Sequence, residues 1–352
     1  MLSQVKESIL CTGGNTVFLT VEDAIRRARS EVLVAIYAIA PDSIGGRLVA
    51  ALCQAARRGV RVEFIVDGFG SIGSFGPVRE KLAAAGVTVT VFRPFWRWIA
   101  THPRTALHRA HARVLLIDRT LFGLGSLVFR DDYADCDDLF MFMEPADTSP
   151  VLHFFHSIQA HAEPVSAART IGSGMSLVTS GPDAGSREIY RWVLSACRRA
   201  DRRIWIASPF FFPPNELLDA LQAAAGRAVD VRIFTPVRTG FHGDLMRALP
   251  LPGLISRSRA KWYGSPRYFH WKFCIVDHHW MLGSANFDLI GMQRNFELNV
   301  CAEGGPTLGE LETLAAALAG AGSQIAPRGA LRVMRMAAPL VYRAAVVVSA
   351  LT

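Results

Sequence analysis

The sequence predicts an α/β protein built as two similar halves. Three observations lead there: a strand–helix–strand unit near the N-terminus, a second copy of it in the C-terminal half, and a composition that can fill a large core. The chain has 352 residues, 51% of them hydrophobic and 19% charged. That balance excludes intrinsic disorder, and the length suits one long α/β domain or two of ordinary size.

Residues 31–40 (EVLVAIYAIA) are short, β-branched and bounded by Pro41-Asp42, which predicts a buried strand. Apolar residues at 48, 49, 52 and 55–56 predict a helix over Leu48–Arg58, ended by Gly59. VRVEFIV at 60–66 predicts a second strand before the Asp67-Gly68 turn. Strand, helix and strand at this spacing form a βαβ unit, which implies parallel pairing. The unit returns as RIWIA (203–207), LLDALQAAA (217–225) and VDVRIFT (229–235), and GRAVDVRIF at 226–234 echoes RRGVRVEFI at 57–65. A duplication joined between Ala160 and Pro182 follows, with Ser173-Gly174 through Gly185 reading as its linker. The expected boundaries are a first half over 1–165, a second over 166–328 and a C-terminal segment over 329–352.

Lysine occurs only at Lys6, Lys81, Lys261 and Lys272, so arginine supplies 34 of the 38 basic residues in a chain of net charge +8. Arginine forks suit phosphates and carboxylates, although arginine richness also follows from genomic base composition. A basic balance admits nucleic acid or an acidic membrane surface as partner. The six cysteines are scattered without a Cys-x-x-Cys pair, which argues against a disulfide framework or a zinc site. The first ten residues carry Lys6 and Glu7 and no apolar core, so no secretory signal is expected.

The two halves also share polar residues. His111-Ala112-Arg113 is followed by VLLI, Asp118 and Gly125-Ser126; His270-Trp271-Lys272 is followed by FCIV, Asp277 and Gly283-Ser284-Ala285-Asn286. On a strand, residues i and i+2 share a face, so each histidine and its cation can meet one substrate. An acid stands 27 residues after each histidine, Asp138 after His111 and Glu297 after His270. A buried carboxylate fixes an imidazole's tautomer and supports its cation. One such motif is a common accident; two at equal spacing in equivalent places of a repeat are not.

The doubled His-x-Lys/Arg-x4-Asp motif with its Gly-Ser-x-Asn sequel resembles the phospholipase D superfamily, and over most of the chain it is similar to the shorter bacterial cardiolipin synthases. The resemblance implies two α-β-α domains with mixed, largely parallel sheets, related by a pseudo-twofold axis and sharing one cleft. It implies that one histidine forms a phosphohistidine while the other serves the leaving alcohol and then the incoming hydroxyl. His111, Arg113, Asp118, His270, Lys272, Asp277, Asp138 and Glu297 become the expected catalytic set, with Ser126, Ser284 and Asn286 binding substrate. No cofactor and no metal are expected; His102, His108, His278 and His279 read as exposed side chains. Family precedent favours His111 as nucleophile, whereas the residues themselves leave the two roles open.

The first motif departs from the pattern twice. Arg113 stands where lysine is expected, and Val128 stands where Asn286 stands in the second half. Losing one donor to a developing oxyanion costs on the order of 3 kcal/mol. The expected activity is transfer of a phosphatidyl group from phosphatidylglycerol to another lipid hydroxyl, giving a cardiolipin-type product. The alternatives are a phospholipase D or nuclease using water, and a weakened membrane-binding homologue.

Two segments favour lipid over nucleic acid. VFRPFWRWI at 91–99 interleaves arginine with aromatic rings, as suits a bilayer's headgroup level, although a core edge or a base-stacking platform has a similar pattern. Residues 330–352 contain no acid and carry Arg332, Arg335 and Arg343 on one helical face, which resembles an interfacial helix. The partners expected are a phospholipid substrate and peripheral contact with an anionic membrane at its cytoplasmic face, with no nucleic acid. A monomer holds one complete site.

Overall fold

The computed structural model describes residues 8–165, 167–237 and 259–324. The first half runs β1 (Ser8–Thr12), α1 (Gly14–Arg27), β2 (Glu31–Ile36), α2 (Ser43–Arg57), β3 (Arg61–Asp67), α3 (Phe75–Ala84), β4 (Thr88–Phe92), α4 (Phe95–Thr101), β5 (Val114–Ile117), β6 (Leu121–Gly125), β7 (Leu139–Met143) and α5 (Ser149–Gln159). The second runs β8 (Ala168–Gly172), β9 (Met175–Ser180), α6 (Glu188–Arg199), β10 (Arg203–Ala207), β11 (Phe211–Phe212), α7 (Asn215–Gly226), β12 (Asp230–Pro236), β13 (Lys261–Ser265), β14 (Phe273–Val276), β15 (His279–Gly283), β16 (Phe287–Asp288), α8 (Leu289–Gln293), β17 (Glu297–Glu303), α9 (Gly305–Ala321) and β18 (Ser323–Gln324).

The βαβ units form as their sequences predict. In the first, Asp42 caps α2 by accepting from Gly45 N–H at 2.9 Å, and Leu48, Val49, Leu52 and Ala55 form its buried face. Gly59, at φ +89°, lets the chain turn back into β3, which pairs in parallel with β2. β10, α7 and β12 repeat the arrangement.

One order governs both sheets: β1-β7-β6-β5-β2-β3-β4 in the first and β9-β17-β15-β14-β10-β12-β13 in the second, where β8 and β18 add edges. The sheets are mixed, yet antiparallel pairing predominates rather than the parallel pairing expected. Among the described residues only β2-β3-β4 and β10-β12-β13 are parallel within these two sheets, and β11 pairs β16 in parallel outside them. The motif strands β5 and β14 enter against β2 and β10 and return through tight turns, which permit only antiparallel neighbours. The expected linker also differs. Residues 168–180 form the β8–β9 hairpin, turned by Gly172, Ser173 and Gly174 at positive φ, and β9 pairs with β17. Met175, Leu177 and Val178 supply the apolar positions that hold it in the sheet.

Three cores result. One lies between the sheets and joins both halves, with Phe154 and Phe155 of α5, Leu311 of α9, Phe92, Trp271 and Phe296 among its residues. The others lie under the outer helices α1–α3 and α6–α7. The expected C-terminal helix over 329–352 falls outside the described residues. Among the described residues no helix is long and apolar enough to cross a membrane.

Candidate active site

The motif histidines lie where the halves cross. Ala110 bridges Phe296 in parallel, and Asp137 bridges Phe269. His111 N–H donates to the Phe296 carbonyl at 3.0 Å, and His270 N–H to the Asp137 carbonyl at 2.9 Å. Each histidine is thereby pinned beside the acid of the opposite half. His111 Nδ1 lies 2.8 Å from Glu297 Oε1, and His270 Nδ1 lies 3.6 Å from Asp138 Oδ1. The equal spacing of acid and histidine within each half therefore marks the duplication, whereas the working pairs run across it.

The acids have their own support. Asp138 and Glu297 are fully buried, Ser126 Oγ donates to Asp138, and Ser284 Oγ donates to Glu297 at 2.5 Å. Both serines, expected to bind substrate, instead spend their hydroxyls on the acids. The preceding glycines explain the Gly-Ser pairs: a Cβ on Gly125 would overlap the Leu139 carbonyl, and one on Gly283 the Leu298 carbonyl. Asn295, which sequence reading passed over, adds Nδ2–H to Glu297 Oε1 at 3.3 Å.

Two cations are buried between the histidines. Arg113 donates from Nη1 to the His111 carbonyl at 2.6 Å and lies 3.0 Å from both ring nitrogens. Its Nε donates to the Leu127 carbonyl at 3.2 Å, and its guanidinium lies 5.6 Å from the Tyr37 ring centre. Lys272 Nζ donates to the His270 carbonyl at 2.9 Å. Asn286 is also buried, and its Oδ1 has no hydrogen-bond partner among the described residues.

Burial and like charge shape the protonation. Burial, then Arg113 and Lys272, hold the His111 imidazolium well below the ordinary histidine range. Burial and Lys272 push His270 down to about 3. Burial, with Arg113 next, pushes Lys272 down to about 7, and burial raises Glu297 to about 7. Both imidazoles rest neutral at pH 7. With Nδ1–H donated to Glu297, the His111 lone pair is left on Nε2.

Asp118 and Asp277 are not in the site. Each follows the strand that its histidine precedes, roughly 20 Å away at about 3.3 Å per residue. Asp118 accepts from the N–H groups of Arg29, Ser30 and Glu31 at 3.0, 2.7 and 3.0 Å. Asp277 does the same for Asp201, Arg202 and Arg203 at 3.1, 2.8 and 3.0 Å. Both sit at positive φ, where a short acid can turn the chain and tie the start of the central strand. They are fold residues that share the motif's spacing.

Sequence reading also missed Asp67 and Arg109. Arg109 Nε donates to Asp67 at 3.0 and 3.1 Å, and Asp67 Oδ2 accepts Ala110 N–H at 2.9 Å, which fixes the approach to His111. Arg109 lies two residues before His111, close enough for the motif to have flagged it. The 91–99 segment divides differently from the expectation. Phe92, Arg93 and Phe95 are buried, with the Arg93 guanidinium among the Phe92, Trp98 and Phe296 rings, while Trp96 is 72% exposed. Of the four histidines expected to be exposed, His102, His278 and His279 are exposed and His108 is half-buried.

The family described as cardiolipin synthase, phospholipase D-like domain matches residues 21–138 and 193–318. A cardiolipin synthase of Alkalihalophilus pseudofirmus is 27% identical over 321 residues, covering 85% of this chain and 63% of its own. Cardiolipin synthase 2 of Bacillus anthracis is 28% identical over 318 residues, covering 83% and 60%. The chain thus spans about three fifths of the length of these relatives. A solved phosphatidylserine synthase of Haemophilus influenzae superposes with a TM-score of 0.73 at 11% identity, covering 100% of this chain and 96% of that one. A polyphosphate kinase of Porphyromonas gingivalis gives 0.66 at 14% identity, covering 96% and 53%. At those identities the likeness speaks to the fold.

Proposed function

The chain belongs to the family of cardiolipin synthase, phospholipase D-like domains, and from that premise we propose that it transfers a phosphatidyl group from one phospholipid to the hydroxyl of another through a phosphohistidine. The observation that carries this reading is the crossed pair of histidines, each beside the acid of the other half, with two buried cations between them.

His111 is the nucleophile in this reading, because its Nδ1 makes a true hydrogen bond to Glu297 whereas the His270–Asp138 gap exceeds hydrogen-bond length. Nε2 of His111 attacks phosphorus, the bond from phosphorus to the leaving glycerol oxygen breaks, and His270 gives that oxygen a proton. The acceptor hydroxyl then passes its proton to His270 and attacks phosphorus, and the P–N bond breaks. For the first step His270 must carry a proton that the empty cleft disfavours. A phosphodiester anion between Arg113 and Lys272 offsets the charge that depresses it. The same cations, with Asn286, stabilise charge on the equatorial oxygens.

The donor proposed is phosphatidylglycerol and the product a cardiolipin-type lipid. Residues 1–165 and 166–328 are the proposed half-sites, and 329–352, whose arginine spacing in the sequence resembles an interfacial helix, is a proposed membrane contact. Trp96 and Ile99, 72% and 39% exposed on α4, add a second contact with an anionic, cytoplasmic membrane face. The test is incubation with phosphatidylglycerol in mixed micelles, with lipid products followed by mass spectrometry. Cardiolipin that disappears in both His111→Ala and His270→Ala is the expected result. Phosphatidic acid alone would replace the transferase by a hydrolase, and no product would refute both.

A further inference from the structure

The two half-sites differ at two equivalent positions, and those differences compensate. The shared fold aligns His111 with His270, Arg113 with Lys272, Ser126 with Ser284 and Val128 with Asn286. The alignment is fixed by hydrogen bonds: Ser126 N–H donates to the Leu139 carbonyl and Ser284 N–H to the Leu298 carbonyl, and each hydroxyl donates to the following strand's acid. The second half thus offers an ammonium and a carboxamide. The first half offers a guanidinium and, at Val128, a buried methyl pair that donates nothing.

Arg113 reaches the segment where the amide is missing. Its Nε–H is bound to the carbonyl of Leu127, the residue directly before Val128. Its Nη1 is held over the His111 carbonyl and ring. Two anchors on one rigid plane fix where the third nitrogen points, as a flexible lysine anchored once could not. Among the described residues Nη2 has no hydrogen-bond partner, which leaves both its N–H groups for an oxyanion. Among the described residues Lys272 has a single hydrogen-bond anchor, at the His270 carbonyl, and the same half supplies the buried Asn286.

Resting on the phosphodiester-transfer reading above, we infer that Arg113 alone performs in the first half what Lys272 and Asn286 perform together in the second, its Nη2 donating to the phosphoryl oxygen that an amide at position 128 would otherwise hold. The first motif is then complete in a different form, and its two departures form one coupled exchange rather than two losses. Arginine without the amide works, lysine with the amide works, and lysine beside Val128 lacks a donor.

A double-mutant cycle over Arg113→Lys and Val128→Asn tests this, with two readouts: turnover of phosphatidylglycerol, and binding of inorganic tungstate as a phosphate mimic by calorimetry. Losing one oxyanion donor costs about a hundredfold in kcat, so Arg113→Lys should fall by about that much and bind tungstate more weakly. Arg113→Lys/Val128→Asn should recover to within about tenfold of wild type in both readouts. Thermal melting of all four proteins separates a lost donor from lost folding. Arg113→Lys at wild-type activity and tungstate affinity would overturn the inference, and so would a folded double variant no better than Arg113→Lys. Wild type that neither turns over phosphatidylglycerol nor binds tungstate would sink the transfer reading as well. Wild type that works alongside an unaffected Arg113→Lys would sink the inference alone.

Discussion

Glu297→Gln gives the sharpest test of the crossed pairing, because its hydrogen bonds dictate the size of the effect. Oε1 receives His111 Nδ1–H and Asn295 Nδ2–H, and Oε2 receives the Ser284 hydroxyl. A glutamine must place its one oxygen where two donors converge, which puts its NH2 toward Ser284. Ser284 can accept that N–H by turning its own hydroxyl to the Leu298 carbonyl, 3.2 Å away. His111 then keeps its tautomer and loses only the negative charge beside it. A charge-assisted hydrogen bond exceeds a neutral one by roughly 1.5–2 kcal/mol, so kcat should fall about ten- to thirtyfold. The readouts are single-turnover kinetics and the ring-nitrogen shifts of labelled His111. A loss near 10⁴-fold with the proton moved to Nε2 would mean that the amide faces the histidine and the bond assignment is wrong. A loss under threefold, or a change at His270 instead, would refute the crossed pairing itself.

Three further outcomes follow from the same geometry. Lys272 is pushed down to about 7 and so loses charge as pH rises, while Glu297 is raised to about 7 and loses charge as pH falls; kcat/KM should therefore be bell-shaped around neutrality, and Lys272→Arg should remove the alkaline limb. An unchanged alkaline limb in that variant would assign it to another group. Asp118→Ala removes a carboxylate from three backbone N–H groups and should cost on the order of 1–2 kcal/mol, read as a lower melting temperature with kcat within about threefold; a large kcat loss at unchanged melting temperature would return Asp118 to the site. Trp96→Glu should weaken binding to phosphatidylglycerol vesicles by about thirtyfold, roughly 2 kcal/mol of buried indole surface, and unchanged sedimentation with vesicles would remove α4 from the membrane contact.

Much of this fold is legible in the sequence because its signals are local. β10 falls on the residues its apolar run marks; α2 begins five residues before its predicted start and ends one short, and α7 extends its prediction by two residues and one. What stayed hidden depends on contacts between distant segments. Asp118 and His111 belong to one spacing pattern, yet a strand separates them, and only the loop before β2 shows what Asp118 holds. Ser126 and Ser284 look like substrate ligands until the neighbouring strand brings an acid to each hydroxyl. The hairpin at 168–180 looked like a linker because its Gly-Ser-Gly turn is a stronger punctuation mark than its few apolar residues. The crossed acids were unreadable in principle, since a 27-residue interval is the same whether the partner lies in its own half or the other.

The crossing also explains why the site needs both halves at once. A histidine and its acid from one half lie on different segments: Asp138, directly before β7, and Glu297, the first residue of β17, each meet the histidine of the other half. Separating the halves would strip each imidazole of its carboxylate and each buried carboxylate of its imidazole, and would open the core in which Phe92, Phe154, Trp271 and Phe296 pack. A buried carboxylate left without its partner is costly, of order 3–5 kcal/mol. The electrostatic balance points the same way: Arg113 and Lys272 come from opposite halves, burial and then Arg113 depress Lys272, and burial together with the two cations holds both imidazoles below the ordinary histidine range. In the proposed transfer a phosphodiester would bring a negative charge to these two cations, and its arrival would let His270 hold the proton the leaving oxygen requires.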